Sequence, residues 1–289
     1  MAASIEVVLE PRDQDIGVPV RRLIPQRGHR ACGPFVFFDH MGPVDLEPGR
    51  GLDVRPHPHI GLATVTYLFD GAFMHRDSLG TVQRIEPGDV NWMSAGKGIT
   101  HSERSPDDLR ESGGRVHGIQ TWVALPAENE QTEPWFRHHP AADIPMLNRD
   151  GATLHVIAGD AFGVRSPVET ASRTLYVAVT LEAGAALSVP PDHVDRGIYL
   201  IDGELTIDGT TLAAHRVALL VRDTTVELQA GPAGARLMLF GGDPLEGARY
   251  IDWNFVSSRH ELIDAAKHAW RAQEFPKVPG ETEWIPLPG

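Results

Sequence analysis

Two short pieces of this chain bring metal-ligating side chains together at strand spacing. Arg55-Pro56-His57-Pro58-His59 holds one i,i+2 pair, and His101-Ser102-Glu103 holds another about forty residues downstream. Successive side chains of an extended segment point to opposite faces, so His57 and His59 share one face, and His101 and Glu103 share one face of a second strand. Two such strands can aim four ligands at one point. Three imidazoles and one carboxylate suit iron, manganese, cobalt, nickel, copper or zinc better than the all-oxygen shells of magnesium or calcium.

Other residues of the same types are weaker candidates. His40 has no ligand two residues on and reads as a structural or pocket-wall residue. His75, Asp77 and Ser78 precede Gly80 and read as a polar turn with Asp77 and Ser78 bonding the backbone. Ser94-Ala95-Gly96-Lys97-Gly98 lacks the spacing of a phosphate-binding loop. His138 and His139 are adjacent, would point opposite ways on a strand, and read as surface residues. Further on, His193 near Asp195, and His215, do not make a second ligand set. Cys32, the single cysteine, reads as a small buried residue and excludes an intrachain disulfide.

The elements that must position the four ligands read as short strands. Ile5 to Leu9, Phe35 to Phe38, Leu62 to Phe69, Val82 to Ile85, Val90 to Met93 and Val116 to Leu125 are apolar or alternating, separated by turn signals such as Asp70-Gly71 and Pro87-Gly88. Asp39 to Pro43 reads as a break. The stretch from Pro126 to about Asp150, rich in proline and charge, reads as a linker. The signature then resumes, with strands at 154–159, 174–180, 197–201, 204–207, 216–221, 225–228 and 236–240. Tyr67-Leu68-Phe69-Asp70-Gly71 matches Tyr199-Leu200-Ile201-Asp202-Gly203, a weak internal repeat that suggests two related barrels. Ser258 and Glu261 read as a capping box opening one helix to about Gln273, with Leu262, Ala265, Ala266, Ala269 and Trp270 as its apolar stripe. The predicted architecture is all-β, with an amino-terminal metal-binding domain at 1–135 and a metal-free one at 136–289 that ends in the helix.

Composition excludes several function classes. A net charge of −13 over 289 residues, with no Lys/Arg run, argues against direct nucleic-acid binding. Hydrophobic residues at 42% and charged residues at 22% describe an ordinary globular chain, and no run is long enough to span a membrane. Early charges at Glu6, Glu10, Arg12, Asp13 and Asp15 leave no signal-peptide core, so a cytoplasmic protein is expected.

Phe38-Asp39-His40-Met41-Gly42-Pro43, the two ligand pieces, Trp92-Met93-Ser94-Ala95-Gly96-Lys97-Gly98-Ile99-Thr100, and Phe275-Pro276-Lys277-Val278-Pro279-Gly280 together resemble the pirin family over nearly the whole chain. The resemblance implies a bicupin, two tandem antiparallel jelly-roll barrels, with one mononuclear iron held in the first by His57, His59, His101 and Glu103. Iron(II) leads the metals that the residue types allow. Several bacterial pirins are similar to flavonol 2,3-dioxygenases, which implies quercetin-type ring opening with dioxygen, with Glu103 as both ligand and proton acceptor. Other pirins are non-catalytic regulators that act through protein partners. One departure stands out: where cupins commonly keep a glutamate shortly after His-x-His, this chain has Ala63, so the carboxylate must come from Glu103.

Overall fold

The computed structural model describes residues 4–16 and 18–289. Ordered along the chain, its first strands are β1 (Ile5–Leu9), β2 (Arg12–Asp15), β3 (Pro19–Ile24), β4 (Phe35–Leu46), β5 (Asp53–His59), β6 (Leu62–Asp70), β7 (Phe73–Asp77), β8 (Val82–Ile85), β9 (Val90–Ser94), β10 (Ile99–Arg104), β11 (Gly114–Ala124) and β12 (Trp135–His139). Helix α1 (Asp107–Ser112) lies between β10 and β11, and α2 (His260–Arg271) follows the strands of the second half. Among the described residues no helix is long and apolar enough to cross a membrane. The all-β expectation holds, with α1 as an addition in a stretch that reads as loop.

Contacts divide the chain into two compact units, and the division is not a single cut. One unit comprises Met1–Arg12, Arg21–Val36 and Ala142–Leu245; the other comprises Asp13–Val20, Phe37–Ala141 and Glu246–Gly289. This differs from a boundary at 135/136: two early segments pack with the second half, and α2 packs with the ligand-bearing half. The cause is visible in the pairing. β1 is antiparallel to Val217–Leu220, while the apolar face of α2, Ile263, Ala266 and Trp270, forms a core cluster with Ile60 and Phe255.

The unit without the ligand pieces is an antiparallel sheet in which Ala152–Ala161, Thr174–Leu181, Val226–Gly242 and Asp195–Ile207 are successive neighbours. Leu154, Val156, Val177, Val179, Ile198, Leu200, Leu237 and Leu239, all at period two, turn one way into a single core. The ligand-bearing unit holds two sheets. β5, β10, β7 and β8 are neighbours in one, and β12, β9, β6, β11 and β4 are successive neighbours in the other. Between β5 and β6 the chain turns at Gly61, φ +67°, where a Cβ would collide with the Val256 carbonyl oxygen.

Three local expectations change. β4 runs straight through Asp39-His40-Met41-Gly42-Pro43 to Leu46, its first eight residues buried; the apolar environment overrides the Gly-Pro signal. The supposed linker contains β12, paired with β9, and the strand Met146–Arg149, paired with Ala152–Ala161; Trp135 and Phe136 give an otherwise polar stretch something to bury. Finally, α2 starts at His260, and its N-cap makes no side-chain hydrogen bond. Buried Glu130 instead holds the two serines ahead of the helix, accepting from the Ser258 amide at 2.7 Å, the Ser257 hydroxyl at 2.7 Å and the Ser258 hydroxyl at 3.0 Å. Arg249, half-buried with its side chain largely covered, lies 3.2 Å from the same carboxylate.

Glu130→Ala therefore leaves Arg249 and three donors without their carboxylate. Urea unfolding should show a loss of about 3 kcal/mol, the scale for breaking a buried charge pair; a loss below about 0.5 kcal/mol, ordinary for a surface change, would contradict the assignment.

Candidate metal centre

The ligand pieces fall on β5 and β10, which are antiparallel neighbours. His101 is directly opposite His57, and Ile99 is opposite His59. Between His101 and Glu103 the register shifts, because Glu103 faces Val54. The extra residue is on β5, at Arg55-Pro56, where a proline without an N–H breaks no ladder bond. On its other edge β10 pairs with β7, placing His101 opposite Asp77 and Glu103 opposite His75. Directly opposed residues share a face, so His57, His59, His101, Glu103, His75 and Asp77 all lie on one side of this sheet.

His57, His59 and His101 are buried and form a group whose ligand atoms all lie within 4.8 Å of one another. Nδ1 of His57 donates to the Arg55 carbonyl at 2.9 Å, and Nδ1 of His59 donates to the Asn254 carbonyl at 3.1 Å. Carbonyl oxygens only accept, so each ring carries its proton on Nδ1 and keeps a lone pair on Nε2. Burial holds all three imidazoles neutral: it pushes His57 down to about 4, and His59 and His101 well below the ordinary histidine range, with the neighbouring rings adding to the effect.

Nε2 of His59 and Nε2 of His101 are 3.1 Å apart. Two nitrogens each about 2.1 Å from one metal and at roughly a right angle to each other have about this separation. The three histidines thus fit a metal ion. His59 meets Trp122 edge to face at 5.2 Å, and Trp122 stacks on Phe37 at 4.0 Å, which gives the centre an apolar wall.

Glu103 does not join that histidine group. Half-buried on the same sheet face, it lies 3.3 Å from the Thr66 hydroxyl, which makes its shorter contact, 2.7 Å, with Gln120. Burial raises its carboxyl above the ordinary range, and the nearby His75, followed by the hydrogen bonds from Thr66 and Gln120, only partly offsets this. Ala63 is fully buried on β6 and offers no ligand.

His75 and Asp77, which read in the sequence as part of a polar turn, also lie on the face of the histidine group. They form a third i,i+2 pair, and the face shared with His101 was the signal. Asp77 does make the expected turn, accepting from the amides of Leu79 and Thr81 through Oδ1 at 2.9 and 3.0 Å. Its Oδ2 is also 3.0 Å from His75 Nε2. Burial alone would raise the Asp77 carboxyl, but the hydrogen bonds from His75 and Thr81 prevail and hold it below its ordinary value.

The remaining candidates are placed elsewhere. His40 and His117 bring their Nε2 atoms to 2.7 Å in a buried pair outside the group. Half-buried His138 contacts Asn91. Lys97 pairs with Glu133, and a strand follows its loop. His193 donates to the Asp160 carbonyl, and Asp195 pairs with Arg222. A cavity of about 260 Å³ bordered by Pro56, Thr100, Trp270 and Phe275 opens beside β5 and β10. By strand alternation its Pro56 and Thr100 side chains are on the face away from the histidines.

A mostly β chain with a buried histidine group on one sheet face fits a β fold built to hold a metal, and comparison with known proteins identifies the class. The pirin sequence pattern matches residues 17–123, and that of the pirin C-terminal cupin domain matches 176–276. A pirin-like protein of Caulobacter vibrioides is 45% identical over 98% of this chain and 99% of its own. Pirin of Rattus norvegicus is 33% identical over 91% of this chain and 89% of its own. The crystal structure of quercetin 2,3-dioxygenase from Acinetobacter baumannii superposes with a TM-score of 0.91 at 33% identity, covering 98% of this chain and 95% of that one. The chain belongs to the pirin family.

Elemental analysis of reconstituted protein should approach one metal per chain. His57→Ala should remove it, and His193→Ala should leave it in place. The reverse pattern would move the centre to the other half of the chain.

Proposed function

We propose that this pirin is a metal-dependent dioxygenase that opens the ring of a flavonol such as quercetin, with His57, His59, His101 and Glu103 holding one divalent metal, iron(II) first. The convergence of three buried, neutral imidazoles on one point carries the reading. The similarity to the quercetin 2,3-dioxygenase of Acinetobacter baumannii supports the substrate class. The bound metal would supply a Lewis-acidic centre for a flavonol oxygen and for dioxygen.

The protein's own groups divide the remaining work. The histidines keep their lone pairs directed inward because their Nδ1 protons are already engaged. Glu103 accepts the flavonol hydroxyl proton, and a carboxyl raised by burial is a stronger base than one in water. Thr66 and Gln120 set the direction in which that carboxylate faces. Trp122 and Phe37 present flat apolar surface suited to an aromatic ring and keep bulk water away.

Substitutions at Glu103 separate ligand from base. After anaerobic loading with ferrous iron, oxygen uptake and carbon monoxide release are measured with quercetin. Glu103→Gln should retain most of the metal and lose about 10²–10⁴-fold in turnover, with Glu103→Asp between it and the parent. Full turnover in the Gln variant would end the base assignment. If the loaded parent turns over no flavonol, the dioxygenase reading gives way to a regulatory protein that acts through protein partners.

A further inference from the structure

The three histidines of the centre differ in what holds the nitrogen facing away from it. For His57 and His59 it is a backbone carbonyl, fixed by the chain itself. For His101 it is a side chain: its Nδ1 lies 3.5 Å from Nδ1 of His75, at the long end of hydrogen bonding. Behind His75 stands Asp77, and behind Asp77 the amides of Leu79 and Thr81.

Donor and acceptor roles along this series are forced from the far end. Two amides can only donate, so Asp77 must present oxygen to them. Its other oxygen can only accept, so His75 must carry a proton on Nε2. A neutral His75 then has a lone pair on Nδ1, and His101 must carry its proton on Nδ1 to meet it. The lone pair of His101 is left on Nε2, facing that of His59 at 3.1 Å, which is the form a metal requires. The opposite assignment would set the His75 Nε2 lone pair against a buried carboxylate. Packing keeps the intermediary ring in place: His75 stacks on Phe136 at 4.4 Å with the rings 20° from parallel.

We infer that Asp77, acting through His75, is a positioning residue that fixes which nitrogen of His101 bears the proton, and so makes His101 a metal ligand. The inference rests on the reading of His57, His59 and His101 as ligands. It assigns a function to a pair that touches neither metal nor substrate.

Asp77→Asn supplies the sharpest test because the amide can be oriented in only one way. Leu79 and Thr81 still require an acceptor, so the new amide nitrogen must face His75. His75 then accepts on Nε2 and donates from Nδ1, His101 accepts on Nδ1, and its own proton moves to Nε2, where it opposes metal. Cobalt(II) is titrated into each metal-free protein against a chromophoric chelator, and its visible absorption spectrum is recorded. Asp77→Asn should weaken cobalt affinity about 10–100-fold, the range for loss of such outer partners, and change the spectrum. His75→Phe, which refills the space against Phe136, should also weaken it. Adding Asp77→Asn to His75→Phe should cost nothing more, since the message no longer reaches His101. A purely structural pair would lower thermal stability without lowering the affinity, or would give additive losses, and either result overturns the inference. If Asp77→Asn does not fold, parental affinity and spectrum in His75→Phe overturn it instead. A parent protein that binds no cobalt overturns the metal centre as well, whereas a parent that binds it and variants that match the parent overturn only the role of the pair.

Discussion

Bringing three imidazole lone pairs together in a buried place is unfavourable for the metal-free chain, and much of the ligand-bearing unit is arranged around that constraint. Each ring must be neutral, must carry its proton on the outward nitrogen, and must give that proton to an acceptor that cannot move. Backbone carbonyls meet the requirement for His57 and His59. The acceptor for His59 comes from Asn254, 195 residues away in sequence, which gives a reason for residues 246–289 to pack with the ligand-bearing half.

The same constraint explains the disposition of strands. Three neighbouring strands each supply a pair at period two to one sheet face: β5 gives His57 and His59, β10 gives His101 and Glu103, and β7 gives His75 and Asp77. The bulge at Arg55-Pro56 changes the register between His101 and Glu103. Glu103 faces Thr66 and Gln120, on β6 and β11 of the other sheet, while the histidines converge among themselves. Two environments result on one face, one that presents neutral nitrogen and one that holds a carboxyl with a raised affinity for protons.

Period-two spacing made the histidine group legible in the sequence, because strand alternation is local and needs no knowledge of the fold. It made the sheets legible for the same reason. What escaped was long-range. Asp77 looks complete as a turn residue, and only the antiparallel partner of β10 reveals its second oxygen at work. Ser258 and Glu261 had the spacing of a cap, but buried Glu130 draws Ser258 to itself and the helix starts two residues later. Pro126 to Asp150 carries the composition of a connector and still supplies edge strands, since a few aromatic residues suffice to join an existing sheet. The division into units likewise follows from pairings such as β1 with Val217–Leu220, which no window of sequence contains.

The far side of the ligand strands is braced by residues near 280. Glu281 accepts from the Ser102 hydroxyl at 3.0 Å and from Arg104, and the Ile285 amide donates to the Pro56 carbonyl at 2.8 Å. Ser102 and Arg104 flank Glu103 directly, and Pro56 adjoins His57. These contacts close loops of 177 residues and more, among the slowest kinds of contact for a chain to find. During synthesis the ribosome releases β5 and β10 long before Glu281 exists. For that interval the nascent chain already displays its histidines but has no brace behind them, so the ligand strands gain their backing only once the last segment of the chain has been made.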